Sequence, residues 1–335
     1  MPVRFAIIGG GPAGHQAATY AARLGAEVTL IERDVVGGAA HLWDCVPSKA
    51  MIATGAAIAS AGRSVDMGLA SRSAQLDFAA LRHRIEAIEK KLEHSVTQLL
   101  RDQNVKVICV TGRLIDDHHV QVESDDPSVN RTVVEADFVL LSTGSRPRIP
   151  EWADVYHKRV LVTRDAYPPE ELPEHLVVIG SGVTGVEFVH MFSSFGSQVT
   201  LIVSREQVLP QKDPEAAAVL EAEFLTRGVR LLKGARASGI DVSPTRVTVK
   251  CDDGRVVEAS HALLAIGSIP NSENLGLEAA GVEANKWGYI DINQHCQSNV
   301  PHIYAAGDLS GKLPLASVAA MQGRKIAEHL MGVTG

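Results

Sequence analysis

The chain has 335 residues and an ordinary globular composition, with 45% hydrophobic and 21% charged residues. Its formal net charge of -7 at pH 7 argues against a nucleic-acid-binding protein, which would carry a basic surface. No apolar run is long enough to span a membrane, and the apolar N-terminus leads into a glycine turn without a signal-peptide cleavage site. Four widely spaced cysteines follow no metal-ligand pattern, so we expect a cytoplasmic protein with no metal site.

The first motif is a glycine-rich turn that follows an apolar strand at residues 3–8 and opens a helix that runs to about Leu24. A second strand, at residues 27–31, ends in Glu32. Such turns let the backbone approach a pyrophosphate at a helix N-terminus, and a carboxylate about 20 residues further on can bind ribose hydroxyls. A solvated glutamate is the alternative for Glu32. The predicted dinucleotide contacts are Gly9, Gly11, Pro12, Ala13, Gly14 and Glu32.

The segment that follows contains two predicted helices and a predicted β-meander. A loop at residues 35–44 leads to a helix that begins near Cys45, and an amphipathic pattern predicts a second helix over 77–101. Short strands at 105–111, 119–123 and 132–134 predict the meander, and an apolar strand at 138–141 precedes Ser142-Thr143-Gly144.

After a proline-rich linker, a second glycine-rich turn repeats the first. The strand at 176–179 leads into Gly180-Ser181-Gly182-Val183-Thr184-Gly185, and a helix is predicted over 183–195. The same plan continues with strand 198–203, helix 214–227, strand 229–233, a meander over 238–257 and strand 262–266. The predicted contacts are Gly180, Gly182, Val183, Thr184, Gly185 and Gly267. Two such motifs, each between a strand and a helix, predict a protein that holds two dinucleotides.

The last segment is predicted to return to the first half of the chain. The apolar strand that starts at Ile303 ends in Gly307-Asp308, and a helix follows over about 315–330; both need a sheet to join. The predicted fold is therefore α/β, with two Rossmann-like domains of three layers each and one domain inserted in the other.

In this order, the motifs resemble those of the flavin-dependent pyridine nucleotide–disulfide oxidoreductases, the family of dihydrolipoamide dehydrogenase and glutathione reductase. The resemblance covers essentially the whole chain. It implies FAD on the first glycine turn and NADPH or NADH on the second, with FAD-binding segments 1–149 and 271–335 and an NAD(P)H-binding domain 150–270. The motifs are Gly9–Gly14 with Glu32, Gly37-Gly38 with Cys45–Lys49, Ser142–Gly144, Gly180–Gly185 with Glu187, and Ala305–Asp308.

The resemblance also implies roles for individual side chains. Lys49 lies beside the flavin N5 and pairs with Glu187 from the nicotinamide side, while Asp308 accepts a hydrogen bond from the ribityl chain. The N-terminal amides of the last helix, which starts near Ala316, face the flavin pyrimidine edge. The resemblance further assigns Gly38, Thr143 and Gly144 to the FAD site.

One departure from the family pattern concerns the redox cysteines. Disulfide reductases of this family have two cysteines in G-G-x-C-x-x-x-x-C-x-P-S-K, and here Ala40 stands at the first position while Cys45 occupies the second. A methyl group is no nucleophile, so this pair cannot exchange with a disulfide. Cys45 is either a reactive thiolate favoured by a helix N-terminus or, because Asp44 opposes a negative charge there, a residue that the reaction does not need.

The pattern around Ala40 is similar to that of the actinobacterial NAD(P)H–quinone reductases of the family. We therefore expect FAD to pass hydride equivalents from NAD(P)H directly to a small quinone-like acceptor. The alternatives are a pyridine nucleotide transhydrogenase, a single-thiol peroxide reductase that uses Cys45, and a truncated flavoprotein. The chain stops at Gly335, where family members continue into a dimerisation domain, so such a flavoprotein would need a partner chain.

The choice of nicotinamide depends on the end of the strand at 198–203. An NAD site would have an acidic residue near Val203, whereas Ser204 and Arg205 follow here. Arg205 could neutralise a 2′-phosphate, although a solvated arginine is the alternative. We therefore expect Ser204 and Arg205 to contact the nicotinamide dinucleotide, with NADPH favoured over NADH.

Overall fold

The computed structural model describes residues 1–64, 68, 74–123, 132–155 and 158–333; Gly335 lies outside them. The α-helices are α1 (Pro12–Arg23), α2 (Val46–Arg63), α3 (Phe78–Asp102), α4 (Val183–Phe195), α5 (Pro214–Thr226) and α6 (Ala316–Leu330). A π-helical segment, Ala40–Cys45, runs directly into α2. Short 3-10 segments span Thr163–Ala166, Glu278–Ala280 and Gly307–Ser310.

The strands of the first half are β1 (Arg4–Ile8), β2 (Glu27–Ile31), β3 (Lys106–Ile108), β4 (Thr111–Leu114), β5 (His119–Glu123), β6 (Thr132–Glu135), β7 (Phe138–Leu141) and β8 (Ser145–Pro147). Those that follow are β9 (Val160–Val162), β10 (His175–Ile179), β11 (Gln198–Val203), β12 (Arg230–Lys233), β13 (Ala237–Val242), β14 (Val247–Cys251), β15 (Val256–Ala259), β16 (His261–Leu264), β17 (Ser268–Pro270) and β18 (Ile303–Ala305).

The chain divides into two compact units. The first comprises Met1–Cys45, Ala87–Arg146 and Ile269–Gly335, and the second comprises Val46–Glu86 and Pro147–Ser268. Residues 46–86 therefore group with the second unit, whereas the sequence analysis assigned all of 1–149 to the first.

The first unit is built on a parallel sheet with the strand order β18-β7-β1-β2-β3. Its central strand β1 is apolar on both faces because both faces are covered, as is usual for parallel sheets. Phe5 and Ile7 pack against α1 and α6 on one face, while Ala6 and Ile8 pack against the antiparallel strands β4–β6 on the other. The unit thus has three layers, as predicted.

The meander of the first unit begins later than the sequence suggested. The expectation of one meander strand over 105–111 is wrong, because β3 pairs in parallel with β2 at the edge of the main sheet. The chain then turns at Val110, whose N–H bonds to the Ile108 carbonyl, and β4 starts the meander. Gly112 permits this crossing, since a Cβ there would lie 2.9 Å from Cγ2 of Ile31.

The second unit repeats the architecture with different residues. Its parallel sheet has the order β9-β16-β10-β11-β12, so β10 takes the central place that β1 has in the first unit. Leu176 and Val178 pack towards α4, and Val177 and Ile179 pack towards the antiparallel strands β13–β15. The α/β fold with two Rossmann-like domains is therefore confirmed.

Candidate dinucleotide and redox site

The first glycine turn closes tightly at two positions where a side chain has no room. Gly9 has φ +106°, and a Cβ there would lie 2.4 Å from the Ser142 carbonyl oxygen. A Cβ on Gly14 would meet the Gly9 carbonyl oxygen. These two glycines therefore fix the turn between β1 and α1, since any larger residue would force the backbone apart.

Gly11 differs from both, because a Cβ there would have Gly38 Cα, 3.9 Å away, as its nearest neighbour. Gly11 is the N-cap of α1, no described side chain caps it, and Pro12 occupies the first turn. The N–H groups of a first turn have no partner within the helix, and together with the helix dipole they favour an anion. The open space beside Gly11 thus fits a dinucleotide pyrophosphate.

Glu32 lies at the carboxyl end of β2, where its carboxylate supports the glycine turn. Oε2 accepts the Gly10 N–H at 2.7 Å, and Oε1 accepts the Asp34 N–H at 2.8 Å. Each oxygen has further lone pairs, so the carboxylate can still accept ribose hydroxyl groups. Gly38 has φ +79°, and a Cβ there would lie 2.3 Å from Gly11 Cα, so this second glycine turn packs on the first.

The remaining candidates of the first unit form two pairs that the sequence did not predict. Thr143 Oγ1 donates to the Asn271 carbonyl at 2.7 Å, and Asn271 Nδ2 donates to the Thr143 carbonyl at 2.9 Å. The Ser145 hydroxyl donates to Asp308 Oδ2 at 2.6 Å. Gly144, with φ +68°, lies between these pairs and is open at its Cβ position.

The N-terminus of α6 has the same character as that of α1. Ala316 is the first residue of the helix, the N-cap Leu315 provides no side-chain cap, and the first turn contains no acidic residue. Just before it, the Gly307 N–H donates to Gln322 Oε1 at 2.8 Å, which holds the turn that carries Asp308 against this helix.

The second glycine turn has the geometry of the first. Gly180 has φ +110°, and a Cβ there would lie 2.3 Å from the Ala265 carbonyl oxygen. A Cβ on Gly185 would meet the Gly180 carbonyl oxygen, whereas a Cβ on Gly182 would have no neighbour within 4 Å among the residues that the structure describes. Gly182 is the N-cap of α4 without a side-chain cap, and Val183 and Thr184 form its first turn. This turn also fits a pyrophosphate.

The strand that should contact the adenosine ribose ends at Val203 with Ser204 and Arg205 exposed after it. The Arg205 carbonyl accepts the Gly234 N–H at 3.2 Å, which joins the turn after β11 to the turn after β12. Gly267, with φ +95°, is open at its Cβ position, and its carbonyl accepts the Arg148 N–H.

Lys49 and Glu187, the two candidate catalytic side chains, meet in the second unit. Lys49 Nζ lies 2.6 Å from Glu187 Oε1, and their side chains are 62% and 26% exposed. Lys49 lies in the first turns of α2, and Glu187 lies in the first turns of α4. The structure thus forms an accessible ion pair from residues 138 positions apart in the sequence.

Helix α2 begins at Val46, next to the expected start near Cys45, but a π-helical turn precedes it. The π-helical turn begins at Ala40, so helical backbone precedes Cys45 and continues into α2. Its N–H is therefore not among the unpaired amides of a helix N-terminus, which removes the dipole argument for a reactive thiolate. Cys45 is partly buried, and none of the four cysteines, all of which the structure describes, forms a disulfide.

Two neighbouring histidines beside the first turn, of which His15 is buried, had no signal in the sequence. His15, on α1, places Nδ1 2.9 Å from the Gly11 carbonyl oxygen, and its ring lies 5.7 Å from that of His41. Burial and the neighbouring His41 lower the pKa of His15 to about 4. His15 is thus a neutral hydrogen-bonding group beneath the turn at neutral pH.

A second group of polar side chains lies elsewhere in the first unit. Asp117, His118 and His302 offer ligand atoms within 4.8 Å of one another, and the two rings stack at 4.2 Å. His118 Nδ1 lies 2.8 Å from the Ala136 carbonyl, and His302 Nε2 lies 3.0 Å from that of Asp117. The first bond joins the turn before β5 to the connection between β6 and β7, and the second joins the same turn to the residue before β18.

The two glycine turns and the order of the sheets define a protein with two dinucleotide-binding folds. A family model, pyridine nucleotide-disulphide oxidoreductase, matches residues 3–323. The chain belongs to this family, whose members use FAD and NAD(P)H, and it is an oxidoreductase.

Two curated relatives and one solved structure are similar to this chain over nearly its whole length. The chain is 41% identical to an NAD(P)H dehydrogenase (quinone) of Mycobacterium tuberculosis, over 99% of this chain and 69% of that protein. It is 32% identical to a dihydrolipoyl dehydrogenase of Bacillus subtilis, over 97% and 69%. The crystal structure of LpdA from M. tuberculosis matches with a TM-score of 0.92 at 40% identity, over 99% of this chain and 73% of that one. Among the described residues, no helix combines the length and apolarity that crossing a membrane requires.

Proposed function

We propose that this chain is an FAD-dependent NAD(P)H dehydrogenase that passes reducing equivalents directly to a quinone-like acceptor. The observation that carries the proposal is Ala40 at the position of the attacking thiol, in a chain with two glycine turns that each fit a pyrophosphate. Two dinucleotides without a dithiol leave the acceptor to react without a protein nucleophile. The name of the 41% identical relative supports this choice of acceptor.

The first unit is the proposed FAD site. When bound, FAD accepts hydride from NAD(P)H and gives up its electrons to the acceptor. The first-turn amides of α1 bind the pyrophosphate, and Glu32 accepts the ribose hydroxyls. Asp308, oriented by Ser145, accepts a ribityl hydroxyl, and the amides at Ala316 favour negative charge near the start of α6.

The second unit is the proposed NAD(P)H site. The amides of Val183 and Thr184 at the start of α4 bind the second pyrophosphate. Ser204 and Arg205 bind the adenosine 2′-phosphate, so NADPH is the preferred donor. Lys49, held by Glu187, supplies a fixed positive charge to the reaction. Cys45 is not required.

The decisive experiment loads the purified chain with FAD, removes free flavin and adds NADPH anaerobically while the flavin absorbance is followed. We expect bleaching, then reoxidation by menadione. Retained flavin that neither NADPH nor NADH bleaches would refute the proposal. Reoxidation by thio-NAD⁺ and not by menadione would favour a transhydrogenase. Retention of FAD only in the presence of a second chain would show that the flavin site needs a partner.

Two lysine variants test whether the positive charge of Lys49 contributes to the reaction. Lys49→Met removes it, and Lys158→Met removes an equally simple ion pair, that of Lys158 with Glu170 at 2.9 Å, from the same unit. We expect only Lys49→Met to slow flavin bleaching.

We also propose a cytoplasmic location, in keeping with four cysteines that form no disulfide.

A further inference from the structure

The turn before β5 lies next to the residue that precedes β18, and together they hold several side chains that can bind a metal ion. The run Asp116-Asp117-His118-His119 leads into β5, and His302 precedes β18, 185 positions after Asp117. The backbone of the second segment is fixed at the sheet, because the Val139 N–H donates to the His302 carbonyl at 3.0 Å. The fold therefore brings imidazole and carboxylate groups from two distant parts of the chain to one place.

His118 is oriented as metal-binding histidines usually are. Its Nδ1 lies 2.8 Å from the Ala136 carbonyl oxygen, which can only accept, so Nδ1 carries the proton and Nε2 has the lone pair. The Ala136 N–H donates back to the His118 carbonyl at 2.9 Å, so the ring is bonded to a fixed piece of backbone. Histidines that bind metals almost always donate their other ring N–H to a carbonyl or carboxylate oxygen, which fixes the tautomer and the ring orientation.

Asp117 and His302 have the spacing of two ligands of one ion. Asp117 Oδ2 lies 3.4 Å from His302 Nε2. Neighbouring ligand atoms at a tetrahedral zinc ion, with bonds of about 2.0–2.2 Å, lie about 3.3–3.6 Å apart. His302 Nε2 also lies 3.0 Å from the Asp117 carbonyl oxygen, to which it donates. When Nε2 binds an ion instead, this proton moves to Nδ1 and the imidazole stays neutral.

The two imidazole rings are stacked, with their centres 4.2 Å apart and an angle of 4° between their planes. The lone pairs of parallel rings lie in separate planes, so one ring must turn before both reach the same ion. His302 is the ring that can turn, because the last torsion of a histidine side chain is soft and this side chain is 22% exposed. His118, in contrast, is held by its bond to Ala136.

The charges around the two histidines favour a cation. Asp116 and Asp117 belong to the turn itself. Glu135 and Asp137, on either side of the backbone to which the turn is bonded, share Arg4 at 2.8 and 2.7 Å. These four carboxylates outnumber the one guanidinium, so the potential at this end of the sheet is negative.

We propose that Asp117, His118 and His302 bind a zinc ion, which holds the turn before β5 to the start of β18. Two imidazoles and one carboxylate are zinc ligands, and a water molecule completes a tetrahedral set. A hard cation such as Mg²⁺ prefers oxygen ligands, so the two imidazoles select against it. The cysteine spacing, on which the expectation of no metal site was based, gives no information about this set because it contains no cysteine.

The position of the three ligands gives the ion a structural role. Strands β1, β7 and β18 are parallel, so residue 302 lies at the amino end of the sheet. The first glycine turn follows the carboxyl end of β1, and Asp308 follows that of β18. The zinc ion therefore takes no part in the proposed reaction, and its binding does not depend on that function.

The test is zinc binding by the FAD-loaded chain, which is freed of metal with a chelator and titrated with Zn²⁺ in a calorimeter. We expect one ion per chain. Three variants each remove one ligand: His118→Asn keeps a donor to Ala136, His302→Gln keeps a donor to the Asp117 carbonyl, and Asp117→Asn keeps the side-chain shape. We expect each variant to raise the Kd for zinc at least about tenfold, since losing even a group that only orients a ligand costs about 10- to 100-fold.

Two other histidines of the same unit provide matched controls. His119→Asn changes the neighbouring imidazole, whose Nδ1 lies 2.8 Å from Asp116 Oδ2. His295→Asn changes another stacked pair, in which the rings of His295 and His329 lie 4.3 Å apart. Neither histidine belongs to a group of three potential ligands among the described residues. We expect both controls to bind zinc with the wild-type affinity.

Thermal unfolding tests the structural role. Zinc should raise the Tm of the wild type by several degrees, because an ion that binds the folded state stabilises it. It should leave the Tm of Asp117→Asn unchanged. A wild-type Tm that does not respond to bound zinc would overturn the structural role.

Three results of the titration would overturn the site itself. They are the absence of saturable zinc binding by the wild type, wild-type affinity in all three ligand variants, and a loss in His119→Asn or His295→Asn as large as theirs. Binding of Mg²⁺ as tight as that of Zn²⁺ would also overturn it, because the imidazoles would then not be ligands. Asp117 is exposed, so Asp117→Asn still tests the site if a histidine variant does not fold.

Discussion

Gly182→Ala separates the binding role of the second glycine turn from its structural role. Gly182 has φ -71° and ψ -174°, values that alanine adopts, and its added methyl group would meet nothing within 4 Å. Replacing glycine at a compatible position stabilises by about 0.4–1 kcal/mol, and alanine is a poorer N-cap by a similar amount. We therefore expect the free energy of unfolding to change by less than about 1 kcal/mol.

The methyl group would occupy the space in which we place the pyrophosphate. Hydrogen bonds to charged groups contribute about 1.5–3 kcal/mol each. The loss of one amide–phosphate bond then raises the Kd for NADPH by about 10- to 150-fold, because about 1.4 kcal/mol corresponds to tenfold. Flavin bleaching as a function of NADPH concentration measures this change, and thermal unfolding measures stability in the same samples.

The first unit provides the matched control. Gly11→Ala, at φ -66°, places its methyl 3.9 Å from Gly38 Cα, an ordinary contact, and should impair FAD retention. Gly182→Ala should keep its FAD. Gly185→Ala, by contrast, drives a methyl into the Gly180 carbonyl and should destabilise by about 1–3 kcal/mol or more. If Gly182→Ala binds NADPH with unchanged affinity, the assignment of this turn to the pyrophosphate is wrong.

Three further predictions concern single side chains. Cys45→Ser should leave menadione reduction by NADPH at the wild-type rate, and a large loss would show that the thiol takes part. Arg205→Ala should raise the KM for NADPH and leave that for NADH unchanged; equal effects on both donors would contradict contact with the 2′-phosphate. The folded pKa of His15, about 4, lies below its unfolded value, so the unfolded chain binds the extra proton as the pH falls below about 6.5. The free energy of unfolding should therefore fall by up to about 3 kcal/mol from this group as the pH is lowered from about 6.5 to 4. Urea unfolding of His15→Gln should show a shallower pH dependence than that of the wild type. An equal pH dependence in both proteins would contradict this prediction.

Elements that are buried and bounded by turn residues were predictable from the sequence. Strands β7 and β11 and helix α4 have the bounds that their apolar patterns predicted. Parallel strands covered on both faces appear as continuous apolar runs, and helices appear as stripes with a period of 3.6 residues. Both signals are local, so they do not depend on knowing which segments meet.

The strand and helix bounds that were predicted wrongly depend on segments that lie elsewhere in the chain. The segment 105–111 is apolar enough for one strand, but pairing with β2 takes Lys106–Ile108 and leaves the rest to start a meander. The helical turn from Ala40 follows no apolar period, and proline at 47 suggested a later start. The local sequence pattern does not contain the information that decides where these strands and this helical turn begin and end.

The polar contacts around the candidate site were the least predictable part. Thr143 and Asn271 are 128 residues apart and exchange two hydrogen bonds. His190 appears in the sequence as one polar residue on an apolar helix, and only the structure places Arg227 Nη1 3.0 Å from its Nδ1. These residue types are common in any globular protein, and their roles depend on the residues that the fold brings next to them.

The two units show how one scaffold can hold two different dinucleotides. Their glycine turns are equivalent: Gly9 and Gly180 would place a Cβ 2.4 and 2.3 Å from a carbonyl oxygen of the neighbouring strand. They differ one strand further on, where the first unit has Glu32 bonded to Gly10 and the second has Ser204 and Arg205 after an apolar strand. A carboxylate suits free ribose hydroxyls and repels a phosphate, whereas a guanidinium attracts it. In the function we propose, the shared turn therefore binds a pyrophosphate, and the end of the next strand determines which nucleotide is bound.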